Sequence, residues 1–237
     1  YHNYKLTGEY KDSIASTVGF VPFDYKTQQW AEKNDWKWRA MPITRDMLPE
    51  VLPAGSKLGK ISAAAAIETG IPEGLTLISS GSDKACEVLG TGCTDAHTGS
   101  LSYGSLATIN IASDKYLEAI PFYPAYPGVV PGTFNVEMMV QRGYWMVSWF
   151  KQEFGLHETQ QSAEQKVSPE SLFDQLLAEV PAGSDGLMLQ PYWSPSNGDG
   201  PETRGAIIGF TESHTRAHLY RAMIEGLTYA LRESKEL

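Results

Sequence analysis

Leu77-Ile78-Ser79-Ser80-Gly81-Ser82-Asp83-Lys84-Ala85-Cys86-Glu87, with Leu101-Ser102-Tyr103-Gly104-Ser105-Leu106-Ala107-Thr108-Ile109 shortly after it, is the stretch on which this chain is read. The first segment has the pattern of a strand entering a Gly/Ser turn, which sets one carboxylate, Asp83, at the start of a helix. The second has the pattern of strand, Tyr-Gly-Ser turn and strand. Such turns present backbone N–H groups and a hydroxyl to anions such as phosphate. A carboxylate able to take a proton, together with a turn able to hold phosphate, points to phosphoryl transfer to a hydroxyl.

Working outward, helix and strand signals alternate. Ser62 caps a short helix, Ala63 to Glu68, that stops at Gly70 with Pro72 beyond it, and a strand follows at Leu75 to Ser79. A helix runs from Asp83 to about Gly90, and the turn-rich segment Gly92 to Gly99 marks the expected domain boundary. Residues 121 to 133 hold four prolines and are expected as loop, with a strand at Phe134 to Met139. Val140, Tyr144, Val147, Phe150 and Phe154 recur at helical spacing. Ser168-Pro169-Glu170-Ser171 starts another helix, Gly186 to Pro191 is expected as a buried strand, and Trp193 to Thr203 as a polar loop. Leu219, Met223, Leu227 and Leu231, four residues apart, form one face of a closing helix at Arg216 to Arg232. Residues 22 to 53, with Trp30, Trp36, Trp38, Pro42, Pro49 and Pro53, are expected as a surface helix and loops held by aromatic anchors. The class is mixed α/β.

The chain has 237 residues, long for one domain and short for two. Nineteen basic against 28 acidic residues give a net charge of −9, which argues against a nucleic-acid partner. No apolar run approaches the roughly 20 residues of a membrane span. Two cysteines, Cys86 and Cys93, match no zinc spacing and suit a reducing cytoplasm. The start at Tyr1 without an initiator Met, and the end at Leu237 still in helical pattern, lead us to expect an internal piece of a longer protein.

Several short motifs fail on inspection. Gly55-Ser56-Lys57-Leu58-Gly59-Lys60-Ile61 is one residue short of a phosphate-binding P-loop and ends in Ile; it reads as a solvated turn. Gly90-Thr91-Gly92-Cys93-Thr94-Asp95 lacks the third glycine of a dinucleotide fingerprint. His214 and His218 have the spacing of a helical zinc pair, but without a following Glu or a third ligand they read as a surface or capping pair, so no metal site is assigned. Glu68, Glu87 and Glu225 are each conceivable as a second acid for glycoside hydrolysis. Asp83 itself has a plainer reading, as an N-cap serving the first N–H groups of its helix.

The company Asp83 keeps decides between those readings. Gly205-Ala206-Ile207-Ile208-Gly209-Phe210, seven residues, then His218, Leu219, Ala222, Met223, Ile224 and Glu225 resembles the second signature of the FGGY family of carbohydrate kinases, with Phe210 in place of the usual aliphatic. Upstream, Leu6-Thr7-Gly8, Asp24 with Trp30, Leu48-Pro49, Gly70-Ile71-Pro72 and Gly74 stand in the family's order. The resemblance implies an α/β, ribonuclease H-like fold of the actin/hexokinase type, with parts of two domains. Residues 1–94 would be the end of the N-terminal sugar-binding domain, and residues 95–237 the beginning of the C-terminal nucleotide-binding domain.

It also implies an ATP- and Mg²⁺-dependent carbohydrate kinase, cytoplasmic and often a homodimer, with a sugar or polyol as substrate. By the same resemblance Asp83 is the general base and Gly104 and Ser105 form the phosphate turn. The family's first phosphate loop and its Mg²⁺ carboxylate would lie before this segment and its adenosine-binding turn after it, so the piece alone is expected to be inactive. Lys84, where the family commonly has Asn, Gln or Ala, is a departure. A cation there should lower the pKa of the base, and it leaves open a non-catalytic, sugar-sensing relative as the alternative.

Overall fold

The computed structural model describes residues 1–120, 123–194 and 200–236. The chain divides into two compact units, one of residues 1–100 and 110–136, the other of residues 101–109 and 137–237.

The first unit is built from short elements: helix α1 (His2–Thr7), strands β1 (Lys11–Ser13), β2 (Phe23–Asp24) and β3 (Gln29–Trp30), helix α2 (Lys37–Ala40), strands β4 (Glu50–Leu52) and β5 (Lys57–Lys60), helix α3 (Ala63–Thr69), strand β6 (Thr76–Ile78) and helix α4 (Asp83–Gly90). Local chemistry explains most of their ends. Ser62 Oγ accepts the Ala65 N–H at 3.2 Å, and Gly70 closes α3 at φ 75°, a left-handed position that glycine takes without a Cβ penalty. β1 pairs with β4 in parallel, and β5 pairs with β6 antiparallel. Lys57–Lys60 is therefore strand, not the solvated turn expected there: Leu58 is buried beneath it while both lysines stay exposed.

The aromatic stretch expected as helix and loops forms instead a β2–β3 hairpin plus one turn of helix at α2. Phe23 is fully buried against the rings of Tyr25 and Trp30. The indole N–H of Trp30 reaches the Pro49 carbonyl at 2.8 Å. The anchors were legible, but the hairpin was not, because its strands are two residues long and carry no alternating pattern.

Four strands make the largest sheet: β7 (Gly99–Tyr103), β8 (Ala107–Ser113), β9 (Tyr126–Pro127) and β10 (Phe134–Val140), in the order β7-β8-β10-β9. β9 lies within the stretch expected as loop. It is an edge strand, where a proline that cannot donate to the ladder is tolerated.

The second unit continues with helices α5 (Trp145–Phe154), α6 (Leu156–Gln165) and α7 (Pro169–Glu179), strands β11 (Met188–Gln190) and β12 (Ala206–Ile208), and helix α8 (Arg216–Glu236). Val140 ends β10 rather than opening a helix. Arg142 at φ 57° and Gly143 turn the chain first, so α5 begins five residues later than the apolar spacing suggested. α6 carries too weak an apolar stripe to be seen in the sequence. α7 starts as expected, with Ser168 Oγ accepting the Ser171 N–H at 3.3 Å.

Leu219, Met223, Leu227 and Leu231 of α8 are all buried, together with Met146, Phe150, Phe173 and Leu189. Tyr220 sits among Phe150 and Phe173, and burial pushes its hydroxyl up to about 12. β11, expected to be buried, is half-exposed: Leu189 points into the core while Met188 faces out. The polar loop expected at Trp193 to Thr203 falls partly on residues 195–199, outside the described residues.

Candidate active site

Asp83 is the first residue of α4, but it is not the cap. Ser82 is: its hydroxyl accepts the Ala85 N–H at 3.2 Å. Asp83 uses one oxygen, Oδ1, to accept the Lys84 N–H at 2.7 Å. Its side chain is exposed, and its second oxygen has no hydrogen-bond partner among the described residues. The orphan N–H that a capping aspartate would serve is thus already taken by a serine, leaving a carboxylate held at the positive end of a helix and turned to solvent.

The turn before it is tightly built. Ser82 N–H donates to the Ala15 carbonyl at 2.9 Å, and a Cβ on Gly81 would stand 2.7 Å from Val129 Cγ2. A larger residue at 81 would have to displace the Val129 side chain, and the Ser82–Ala15 bond ties the turn to the chain before β2. Lys84 does not crowd the carboxylate as its position suggested, because its ammonium bonds Glu87 Oε2 at 2.8 Å, one turn further along α4. Glu87 is thereby tied to a lysine rather than offered as a second acid.

Gly104 and Ser105 form an exposed turn between β7 and β8, as the sequence suggested. A group that sequence reading passed over sits against it. Tyr144 N–H donates to the Gly104 carbonyl at 3.0 Å, and the rings of Tyr103 and Tyr144 meet edge to face at 5.0 Å. A Cβ on Gly143 would stand 2.2 Å from the Ala107 nitrogen. The turn is therefore pinned by the Gly143–Tyr144 step that leads into α5. The available signal was a lone glycine between a strand and a helix.

The segment from Gly205 to Glu225 is of another kind. Its two histidines and Glu225 are spent on the fold. His218 Nδ1 accepts the Thr215 N–H at 3.1 Å, so its Nε2 carries the proton and donates to Asp185 Oδ2, also at 3.1 Å. His214 repeats the arrangement, accepting from Thr211 N–H at 2.8 Å and facing the Asp185 carbonyl at 3.3 Å. The two histidines are a capping pair fastened to Asp185, a residue at φ 50°.

Glu225 accepts the Gly183 N–H on both oxygens at 3.1 Å and Arg221 Nε at 2.9 Å. Gly209 and the next residue after the segment, Gly226, are close-approach positions: a Cβ on Gly209 would lie 2.5 Å from the Gly186 carbonyl, and one on Gly226 2.2 Å from that of Leu189. An apolar cavity of about 370 Å³ opens beside them, lined by Met188, Ile208 and Tyr229 among others, and includes none of Asp83, Gly104 or Ser105.

Among known protein families, the model described as "FGGY family of carbohydrate kinases, C-terminal domain" matches residues 99–236. The chain belongs to the FGGY family. An uncharacterized sugar kinase, YgcE of Escherichia coli K12, is 33% identical over 236 residues, covering 99% of this chain and 47% of that protein. A xylulose kinase of Lactococcus lactis is 26% identical over 98% of the chain and 44% of its own length. The chain thus spans about half the length of these FGGY relatives.

Among solved structures, xylulose kinase from Rhodospirillum rubrum superposes with a TM-score of 0.83 at 27% identity, over 98% of this chain and 45% of that one. The fold is the α/β, ribonuclease H-like fold of actin/hexokinase type shared by xylulose, gluconate and glycerol kinases. In the segment Gly205–Glu225, which carries the FGGY signature, His214, His218 and Glu225 are all bonded within the fold.

Proposed function

We propose that the complete protein transfers the γ-phosphoryl group of ATP to a hydroxyl of a sugar or polyol. In this reading Asp83 is the general base, and the Gly104–Ser105 turn holds nucleotide phosphate. The observation that carries it is the Asp83 carboxylate itself: exposed at the start of α4, with Ser82 as the N-cap and with one oxygen that has no hydrogen-bond partner among the described residues. Phosphoryl transfer asks little covalent chemistry of a protein beyond alignment, charge stabilisation and one group to orient and deprotonate the nucleophile. The relatives' names support the class, since they are sugar, xylulose and gluconate kinases.

Mg²⁺ accompanies ATP in this chemistry. The described residues include no cluster of three or more His, Cys, Asp or Glu that could hold it, so no step here is assigned to the metal. Residues 1–94 would close the sugar-binding domain and 95–237 open the nucleotide-binding one. A homodimer in the cytoplasm fits the reading, and among the described residues no helix is long and apolar enough to cross a membrane. The feature that favoured a non-catalytic relative, Lys84 beside the base, loses its force because its ammonium is engaged by Glu87.

The test is an ATP-dependent phosphorylation screen of the complete protein on ketoses, aldoses, aldonates and polyols, run beside Asp83→Asn. Turnover on one substrate that disappears in the variant is the expected result. Undiminished turnover in the variant would remove Asp83 from the chemistry, and no turnover on any compound would favour the sugar-sensing relative.

A further inference from the structure

Five arginines lie in the second unit. Arg204 donates to the Pro201 and Thr203 carbonyls, Arg216 to Glu158 and the Phe154 carbonyl, and Arg221 to Glu225 and the Leu177 carbonyl. Arg232 is also engaged. Arg142 alone makes no hydrogen bond or ion pair among the described residues. It is exposed, and its guanidinium lies over the Trp145 ring at 5.2 Å. That stacking holds the planar group in place while leaving its N–H fork free.

Its place in the chain gives the free fork a meaning. Arg142 immediately precedes Gly143, which touches the backbone of Leu106 and Ala107, and Tyr144, which bonds the Gly104 carbonyl. It therefore stands at the edge of the Gly104–Ser105 turn. That turn offers backbone N–H groups and a hydroxyl but no charge, whereas a nucleotide polyphosphate carries several negative charges into a chain whose own net charge is −9. Arg142 is also held at φ 57°, a left-handed conformation that L residues other than Asn and Asp rarely take. A glycine would be at ease there, yet the position carries a long cation.

We propose that Arg142 binds the β-phosphate of the nucleotide and neutralises it as transfer proceeds; this rests on the reading of Gly104–Ser105 as the phosphate turn. In the step, the substrate oxygen bonds to the γ-phosphorus while the bond from that phosphorus to the β–γ bridging oxygen breaks. The hydroxyl proton passes to the Asp83 carboxylate, and the electron pair of the broken bond stays on the β-phosphate of the departing ADP. A guanidinium fork meets that charge with two parallel N–H donors, a geometry that a lysine ammonium does not reproduce.

The test is calorimetric titration of the complete protein with ADP and with AMP, in the wild type, Arg142→Gly and Arg142→Lys. Glycine suits φ 57°, so the Gly variant does not put folding at risk. Loss of the fork should weaken ADP binding about tenfold or more, leave AMP within about twofold, and place Arg142→Lys between wild type and Arg142→Gly. ADP bound equally well by Arg142→Gly, or ADP and AMP weakened alike, would overturn the assignment while leaving the kinase reading standing. A wild type that binds neither nucleotide would instead overturn the phosphate-turn reading and this one with it.

Discussion

The turn at Gly81–Lys84 and the segment Gly205–Gly226 are both rich in glycine and polar side chains, yet the fold uses them in opposite ways. In the second, every polar group named above is consumed internally: His214 and His218 on Asp185, Glu225 on Gly183 and Arg221. In the first, Ser82 is the N-cap, and Asp83, which accepts only the Lys84 N–H, keeps an oxygen without a partner among the described residues. Polar groups of a family motif can therefore serve the fold, while chemistry is to be sought where a charged side chain keeps an oxygen clear of the fold's own bonds.

The contrast predicts where activity and stability part. The largest effect belongs to Asp83→Asn in the complete protein, which should lower kcat by about 10²- to 10⁴-fold, the range of a lost general base. Its melting temperature should stay within a degree or two of wild type, because no cap and no buried bond is lost. A matching fall in melting temperature would show that Asp83 is structural after all.

Gly226→Ala should do the reverse. The added methyl meets the Leu189 carbonyl at 2.2 Å, so the variant is expected to lose about 3 kcal/mol of stability in urea titration. Its residual folded fraction should keep an unaltered KM. An active-site role for this segment would instead show as a changed KM in a stable protein.

Glu158 tests whether the second unit's ionic ties behave as structure. It is buried, bonded by both arms of Arg216 at 2.5 and 2.7 Å. Burial is the largest single influence and would raise its pKa, but the Arg216 hydrogen bonds and charge, its own backbone N–H and nearby His157 together outweigh it and hold the carboxyl below its usual 4.5. A pKa depressed by folding contributes stability that is complete above the unfolded value and is lost as pH falls through the folded one. Glu158→Gln should therefore cost about 2 kcal/mol at pH 7, with the gap from wild type closing below about pH 4.5. A gap independent of pH would mean that the loss comes from packing.

The smallest effect separates the two neighbours at the head of α4. Ser82→Ala should cost about 1 kcal/mol as a lost N-cap, whereas Asp83→Asn, measured for stability alone, should cost no more than about 0.5 kcal/mol as a lost charge at a helix N-terminus. Equal losses would return a capping share to Asp83.

Much of this was readable in the chain. The strand–turn–helix around Asp83, the β7–turn–β8 unit, the caps at Ser62 and Ser168 and the buried face of α8 all follow from local rules acting within a few residues. What escaped were features with no local pattern: the two-residue strands of the aromatic hairpin, edge strand β9 with its proline, helix α6, and the end of β10 at Val140. Residues 140 to 154 show why periodicity misled. Val140 and Phe150 are both buried, as their spacing required, but they belong to a strand and a helix on either side of the Arg142–Gly143 turn.

By itself the sequence determined the family, the α/β class and which residues were worth asking about, because glycine, proline, capping serines and apolar periodicity constrain the backbone where they stand. Tertiary structure decided which of those residues remain free. That Ser82 rather than Asp83 caps α4, that Lys84 turns to Glu87, that both histidines fasten on Asp185 and that Arg142 makes no ion pair among the described residues are outcomes of competition among groups brought together by folding. A hydrogen bond or ion pair depends on distance and direction in space, and for pairs such as Glu225 with Gly183, 42 residues apart in the chain, spacing along the sequence carries neither.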